Sequence, residues 1–592
     1  MQKEKSYAAA SSPSKVKAAL DRLKTLQAAK TLWNSHWQVI AENFLTRKAN
    51  FTATPTPGAF LNDEIFDGTG PGSLMKMASA LLGMLWPGGA KSFVLEAMRG
   101  IKQTEEVKKY YEEATEILAD EMDNPRAGLQ VALDEYMIDQ GAFGTSGISV
   151  NKGTKSKLSF KAENVKFMCI DEGPDGFVDT VYIEYEWTVR QAAAQYGLNN
   201  LHKDTQKLFK DGKLDEKVRI LFCVQPRTDK DPSKAGIYGM DFESLHIEVD
   251  RKHLIRESGF NDLPVKVARF RKALAEVYGR SPAMEALPDV QEMNAIWESV
   301  TLGIEKQVDP PLYVLDDGVL GGNVVDTSAG GLTVFNVSGR AGQTNEPIKP
   351  LFTVEGIQDA VGLIERLENS ITGHFMLDRL LDFNNENQMT LGEVNVRNRI
   401  RGFLLGSIFA RQISELFSPL IERSFNLLFE MGELGVIEGS PAHKEKLDAG
   451  EDPLDILLIP RVIAKRMGDP KKPPFKIKYV SPAARILQSE QAQGIVQTLD
   501  FVISASQVSP EAMDNIDIDE ATKALSFIFG APSQILHSDE KKEQIREGRR
   551  EAMEEQQALE AAPKAADAVK KVAEANSYKL LRGNANGKKR AA

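Results

Sequence analysis

Between Met284 and Gln307 the apolar residues Val290, Met293, Trp297, Val300 and Ile304 recur in steps of three and four, which lays one stripe along a helix. Glu285, Glu292, Glu298 and Glu305 read as an acidic face on the opposite side. Asp309-Pro310-Pro311 ends the helix, because proline has no N–H and disfavours α geometry in the residue before it. From Leu312 to Pro350 the pattern changes to short strands, LYVL, GNVV and LTVFNV, separated by Asp316-Asp317-Gly318, Gly321-Gly322 and Gly330-Gly331. A second helix is expected over 354–381, with Ile357, Val361, Ile364, Leu367, Ile371 and Phe375 on one side. The stretch that follows, Asp382-Phe383-Asn384-Asn385-Glu386-Asn387-Gln388, has no apolar period. Two helices with narrow stripes thus bracket a small β module. Each buries little alone, which suits a palisade of neighbouring copies.

The flanking segments have the patterns of an α+β body. Val16, Leu20, Leu23, Leu26, Leu32, Trp33, Trp37 and Ile40 mark a helix within residues 1–50. Asp67-Gly68-Thr69-Gly70-Pro71-Gly72 reads as a turn before an apolar helix that Pro87-Gly88-Gly89 closes. Helical patterns at 103–140 give way to strands from Gly141, with a hairpin at Gly173–Gly176, a helix at 188–197 and further strands to 271. A long helix is expected over 390–432, kinked near Glu415 by Pro419. A basic strand at 472–480 and helices over 481–580 complete the pattern, and the last residues, 581–592, read as a disordered tail.

Composition narrows the chemistry. With 42% hydrophobic and 27% charged residues, the 592-residue chain has a soluble globular profile. No apolar run reaches the roughly 20 residues of a membrane helix, and the N-terminus lacks the apolar core of a signal peptide. Cys169 and Cys223 sit in strand-like apolar contexts and read as buried, inert thiols. A net charge of −11 opposes tight grip on phosphates but is compatible with a surface past which nucleic acid slides.

The glycines at 68, 70 and 72 lack the lysine of a phosphate loop and the spacing of a dinucleotide fingerprint. The seven histidines form no metal motif, and no nucleophile elbow is present. Asp316-Asp317-Gly318 is turn chemistry, and His374 reads as an ordinary helix residue. No catalytic residue, metal or cofactor is expected. A nuclease is the enzyme class considered, and it would require converging carboxylates that no motif here announces.

Three stretches carry a resemblance: IFDGTGPGSLMKMASALLGMLWPGGAKSFVLE, YGRSPAMEALPDVQEMNAIWESVTLGIEKQVDPPLYVLDDGVL, and TLGEVNVRNRIRGFLLGSIFARQISELFSPLIERSFNLLFEMGELG. Over most of residues 30–540 the chain resembles the head-to-tail connecting (portal) proteins of short-tailed, podovirus-type bacteriophages. The resemblance implies a subunit with an α/β wing, a two-helix stem, a β-containing clip and a helical crown. These correspond to 1–283 and 390–480 for the wing, 284–309 and 351–381 for the stem, 310–350 for the clip, 382–389 for a channel loop and 481–580 for the crown.

It further implies a homo-oligomeric ring, a dodecamer, at one capsid vertex in the virion, assembled in the host cytoplasm without a membrane. Double-stranded DNA passes through such a ring, a terminase ATPase and then tail adaptor proteins dock on it, and capsid and scaffolding proteins surround it. On that reading Asn384, Asn385, Glu386, Asn387 and Gln388, with Glu292, Glu298 and Glu305, face the channel. Asp316, Asp317, Asn323 and Arg340 lie on the docking surface. The competing expectation is a closed helical adaptor or scaffold with no DNA channel.

Overall fold

The computed structural model describes residues 13–52, 58, 65–89, 91–101, 104–231, 236–316, 325–336, 348–380, 405–448, 457–464, 475–506, 509–529, 541–553 and 570–573. The chain divides into two compact units, Met1–Ser489 and Glu490–Ala592.

In the first unit, α1 (Pro13–Phe44) serves two cores. Its first half, through Val16, Leu20, Leu23 and Leu26, covers one face of an antiparallel sheet against Cys169, Tyr182, Leu221, Cys223 and Leu245. Its second half, through Trp37, Ile40 and Phe44, enters the main core with α2 (Thr69–Leu85), α3 (Glu105–Asp123) and α4 (Leu129–Phe143). Leu32, expected on the apolar stripe, is exposed instead.

The sheet has the order β4-β5-β6-β7-β8, from Met168–Glu172, Val178–Thr188, Lys217–Pro226, Phe242–Glu248 and His253–Phe260. Its other face is closed by α5 (Val189–Tyr196), whose N-terminus Thr188 and Gln191 cap reciprocally, and by α6 (Lys203–Lys210). Cys169 and Cys223 are both buried free thiols, and burial pushes the Cys223 thiol up to about 12.

A second sheet, β3-β2-β9 (Leu158–Glu163, Thr145–Lys152, Val265–Arg269), is also antiparallel. The predicted basic strand is β13 (Phe475–Tyr479), paired antiparallel with β1 (Phe93–Ala97).

The Gly68–Gly72 segment is neither phosphate loop nor open turn, because the helix already begins at Thr69 and Asp67 accepts hydrogen bonds from the Thr69 N–H and hydroxyl. Gly70 lies inside α2 where a Cβ would meet Val290 at 2.9 Å and Phe44 at 3.2 Å, so its glycine permits close helix packing.

The long helix, α10 (described over 405–430), is interrupted. Ile413–Phe417 is a π-helical turn in which Ser418 N–H reaches back five residues to the Ile413 carbonyl, and Ser418–Glu430 resumes α geometry. The break expected from Pro419 therefore takes the form of a π-bulge. Its acid, Glu415, accepts from the Arg269 backbone N–H at 2.9 Å and from Arg269 Nη2 at 3.0 Å. Arg269, fully buried on β9, also binds Glu172 at 2.8 Å and the Gly176 carbonyl at 2.7 Å. This network fastens α10 to both sheets.

In the second unit, Glu490–Ala592, the C-terminal part of helix Pro482–Ser506, helix Ile518–Phe529 and a helical stretch at 541–553 are described, with Arg546 paired to Asp519 at 2.7 Å.

Candidate functional site

The bracketed region is a helical hairpin capped by a small sheet. α7 runs Pro282–Val308. Its start is fixed by Ser281, whose hydroxyl accepts from Met284 N–H at 3.1 Å and donates to the Ala142 carbonyl at 2.7 Å, with Pro282 in the first turn. Its end falls at the predicted Asp309-Pro310-Pro311 stop. At about 1.5 Å per residue the helix is about 40 Å long.

Beyond it β10 (Leu312–Asp316) pairs parallel with β11 (Leu332–Asn336) and antiparallel with β12 (Ile348–Pro350). The GNVV segment supplies no described strand, and its residues 322–324 lie outside the described residues.

α8 (Ile357–His374) returns antiparallel to α7. Near its end, Ser370 donates to Asp289 at 2.6 Å and His374 Nε2 lies 3.4 Å from the same carboxylate. Near its start, Val354 lies opposite Gly303. Ile364, Leu367 and Ile371 are buried, whereas Val361 is exposed, being rotated off the stripe they form. The helix stops earlier than expected: Met376 takes φ +55°, a left-handed conformation uncommon outside glycine, before a short helical turn, α9, at Leu377–Leu380. Gly70 and Phe44 pack on Val290, and Phe44 also meets Phe375 at 5.8 Å, so the foot of the hairpin is set in the main core.

The upper hairpin is different. Leu302, Ile304 and Val308 are 49%, 44% and 80% exposed, and Leu363 is 38% exposed. The glutamates do not form one face. Glu285 and Glu292 share a flank, as do Glu298 and Glu305, because each pair is seven residues apart. The six-residue step from Glu292 to Glu298 turns the helix so that the flanks lie about 120–140° apart. Both lie about 100–120° from the axis of the apolar stripe, one on each side of the line directly opposite it. Glu285 is paired with Arg271 at 2.9 Å, while Glu292, Glu298 and Glu305 are exposed and have no ion-pair partner among the described residues.

Of the remaining predicted positions, Asp316 ends β10 opposite Asn336. Asp317, Asn323, Arg340 and the whole Asn384–Gln388 loop (Asn384, Asn385, Glu386, Asn387, Gln388) lie outside the described residues. Two exposed features escaped the periodicity argument. Leu302 is an apolar residue off the stripe, and Arg366 is an exposed cation on α8 with no partner among the described residues. Leu302 was the detectable signal, since it breaks the period of its own helix. Among the described residues no cluster of three His, Cys, Asp or Glu side chains could hold a metal, and no helix is long and apolar enough to cross a membrane.

The family described as bacteriophage head to tail connecting protein matches residues 16–536. A probable portal protein of Bordetella phage BPP-1 is 24% identical over 529 residues, spanning 88% of both chains. The portal protein of Salmonella phage epsilon15 is 24% identical over 563 residues, spanning 94% of this chain and 95% of that one. Among solved structures, a chain of the virion of a native gene transfer agent particle aligns with 70% of this chain and 99% of its own length, at 12% identity and a TM-score of 0.27. By the family match across residues 16–536, the chain belongs to the bacteriophage head-to-tail connecting proteins.

Proposed function

We propose that the protein is the portal of a phage head: a homo-oligomeric ring of about twelve copies at one capsid vertex, through which double-stranded DNA enters during packaging and leaves during ejection. The observation that carries this reading is the α7–α8 hairpin within a chain matched to the connector family almost end to end. Its foot is buried in the subunit's own core, yet its upper half leaves apolar side chains exposed and Glu298 and Glu305 without an ion-pair partner among the described residues. Such a hairpin suits a stave completed by its neighbours.

A helix of about 40 Å matches roughly one turn of B-DNA in length. Carboxylates on a bore wall repel phosphates and so oppose the tight contacts that would stall a moving duplex. The amide-rich Asn384–Gln388 loop would meet the duplex through neutral groups. The β10–β11–β12 sheet with its Asp316, Asp317, Asn323 and Arg340 region would take the packaging terminase first and a tail adaptor afterwards. Capsid and scaffolding proteins would hold the wing in the virion.

The test is particle shape and DNA passage. Full-length protein forms annular oligomers, and in a packaging reaction heads that contain it fill with DNA. Replacing Asn384–Gln388 by a short Gly-Ser segment leaves ring yield unchanged and lowers DNA packaged or retained. Normal packaging by that variant would remove the loop from the channel.

A further inference from the structure

The two flanks of α7 cannot serve one purpose. Glu298, Leu302 and Glu305, spaced i, i+4 and i+7, form a single exposed stripe of acid, apolar and acid residues. α8 packs along the Asp289 and Gly303 side of α7, about half a turn away, so this stripe is the hairpin edge remote from α8. On α8, Leu363 and Arg366, spaced i and i+3, form a second exposed stripe, of apolar and basic residues, beside the buried Ile364–Leu367–Ile371 row; Ser370 continues it and bonds Asp289, so the stripe borders the groove between α8 and α7.

Neither stripe has a charged partner among the described residues, and within one hairpin they cannot reach each other. Resting on the ring reading above, we infer that they meet between copies: the Glu298–Leu302–Glu305 edge of one copy packs on Leu363 and Arg366 of the next.

The chemistry favours a second copy of this chain over an unrelated partner, because each edge supplies what the other lacks. Leu302 covers Leu363, and the Arg366 guanidinium is shared by two carboxylates that flank the leucine. Such a contact is heterologous, joining different surfaces of identical chains, and therefore propagates around an axis until it closes. Asp359, one turn before Leu363 on the same flank, disfavours any register that would place it against Glu298 or Glu305. Glu298 and Glu305 then belong to the seam rather than to the bore, and Glu292, turned about 120° from it toward the Gly303 side of α7 that meets α8, lies outside it.

The experiment is charge reversal in the full-length protein, with ring fraction counted by negative-stain microscopy and subunit fold checked by circular dichroism. At physiological salt E298R/E305R and, separately, R366E each lower the ring fraction about tenfold, and the three substitutions combined restore it to near wild type. Rings at wild-type abundance from either reversed variant would overturn the seam and leave the ring standing. So would a combined variant no better than its parents while its subunits remain folded. Absence of rings from the wild-type chain would remove both.

Discussion

Lys30 is a buried cation held by carbonyls. It is 2% exposed, and its ammonium donates to the carbonyls of Val165, Lys166 and Met168 at 2.6, 2.7 and 3.0 Å. Burial depresses its pKa from 10.5 to about 8. Replacing it by methionine leaves three carbonyls without their donor and is expected to cost about 1–3 kcal/mol at neutral pH, read by chemical denaturation. The pH dependence has a definite sign. Between pH 8 and 10.5 the unfolded chain binds more protons at this site than the folded chain, so wild-type stability rises with pH across that window. The K30M variant lacks that gain, and the difference between the two proteins widens from pH 8 to pH 10.

Gly144 and Gly279 make a second residue-level prediction. Gly144 has φ +74°, and a Cβ on either residue would strike the backbone carbonyl of the other. G279A should cost about 3 kcal/mol or more, measured as a lowered denaturation midpoint. Such close crossings join distant parts of the chain, and sequence inspection cannot find them. Gly70 illustrates the difficulty: its neighbours suggested a turn, and its reason is Val290 on another helix.

At the level of elements, what could be read was what local chemistry dictates. α7 stops before Pro310 because prolines act within a few residues, and its Ser281 cap starts it at Pro282, two residues ahead of the start its apolar pattern gave. The interruption of α10 near Glu415 was likewise foreseeable from Pro419, but its π geometry and its anchor were not. Glu415 and Arg269 are 146 residues apart in sequence, and nothing local connects them. The acidic side of α7 is opposite its apolar stripe as its spacing suggests, but the six-residue step from Glu292 to Glu298 splits it into two groups about 140° apart. The Arg269–Glu415 pair also makes a prediction at this scale. R269A removes the buried cation that Glu415 and Glu172 share, leaving Glu415 to Arg411 at 3.0 Å and Glu172 to Lys272 at 2.7 Å, and should destabilise the first unit by about 2–3 kcal/mol, seen as a lower unfolding midpoint. Hydrogen exchange along 405–417 should rise more than in the β4–β8 sheet, because the pair pins that stretch of helix.

For the whole molecule, the division of labour lies between a subunit that satisfies its own core and a hairpin that does not. Trp37, Phe44, Val290 and Phe375 complete one another within the chain, while Leu302, Val308 and Leu363 remain in solvent. The α+β class and the helix–strands–helix order of this region were legible because they rest on periodicity and proline stops. The identity of the exposed edges was not, because exposure depends on how α7 and α8 pack. If Arg366 pairs with Glu298 and Glu305 of the next copy at the surface, assembly weakens as ionic strength rises, because salt screens that attraction; this is measurable as the ring fraction between low and high salt.

The most direct test is negative-stain electron microscopy of the purified full-length protein. The account predicts annular particles of uniform diameter with a stain-filled central hole wide enough to admit a DNA duplex. A chain that remains monomeric even with its assembly partners present, or that forms closed particles without a hole, would contradict it.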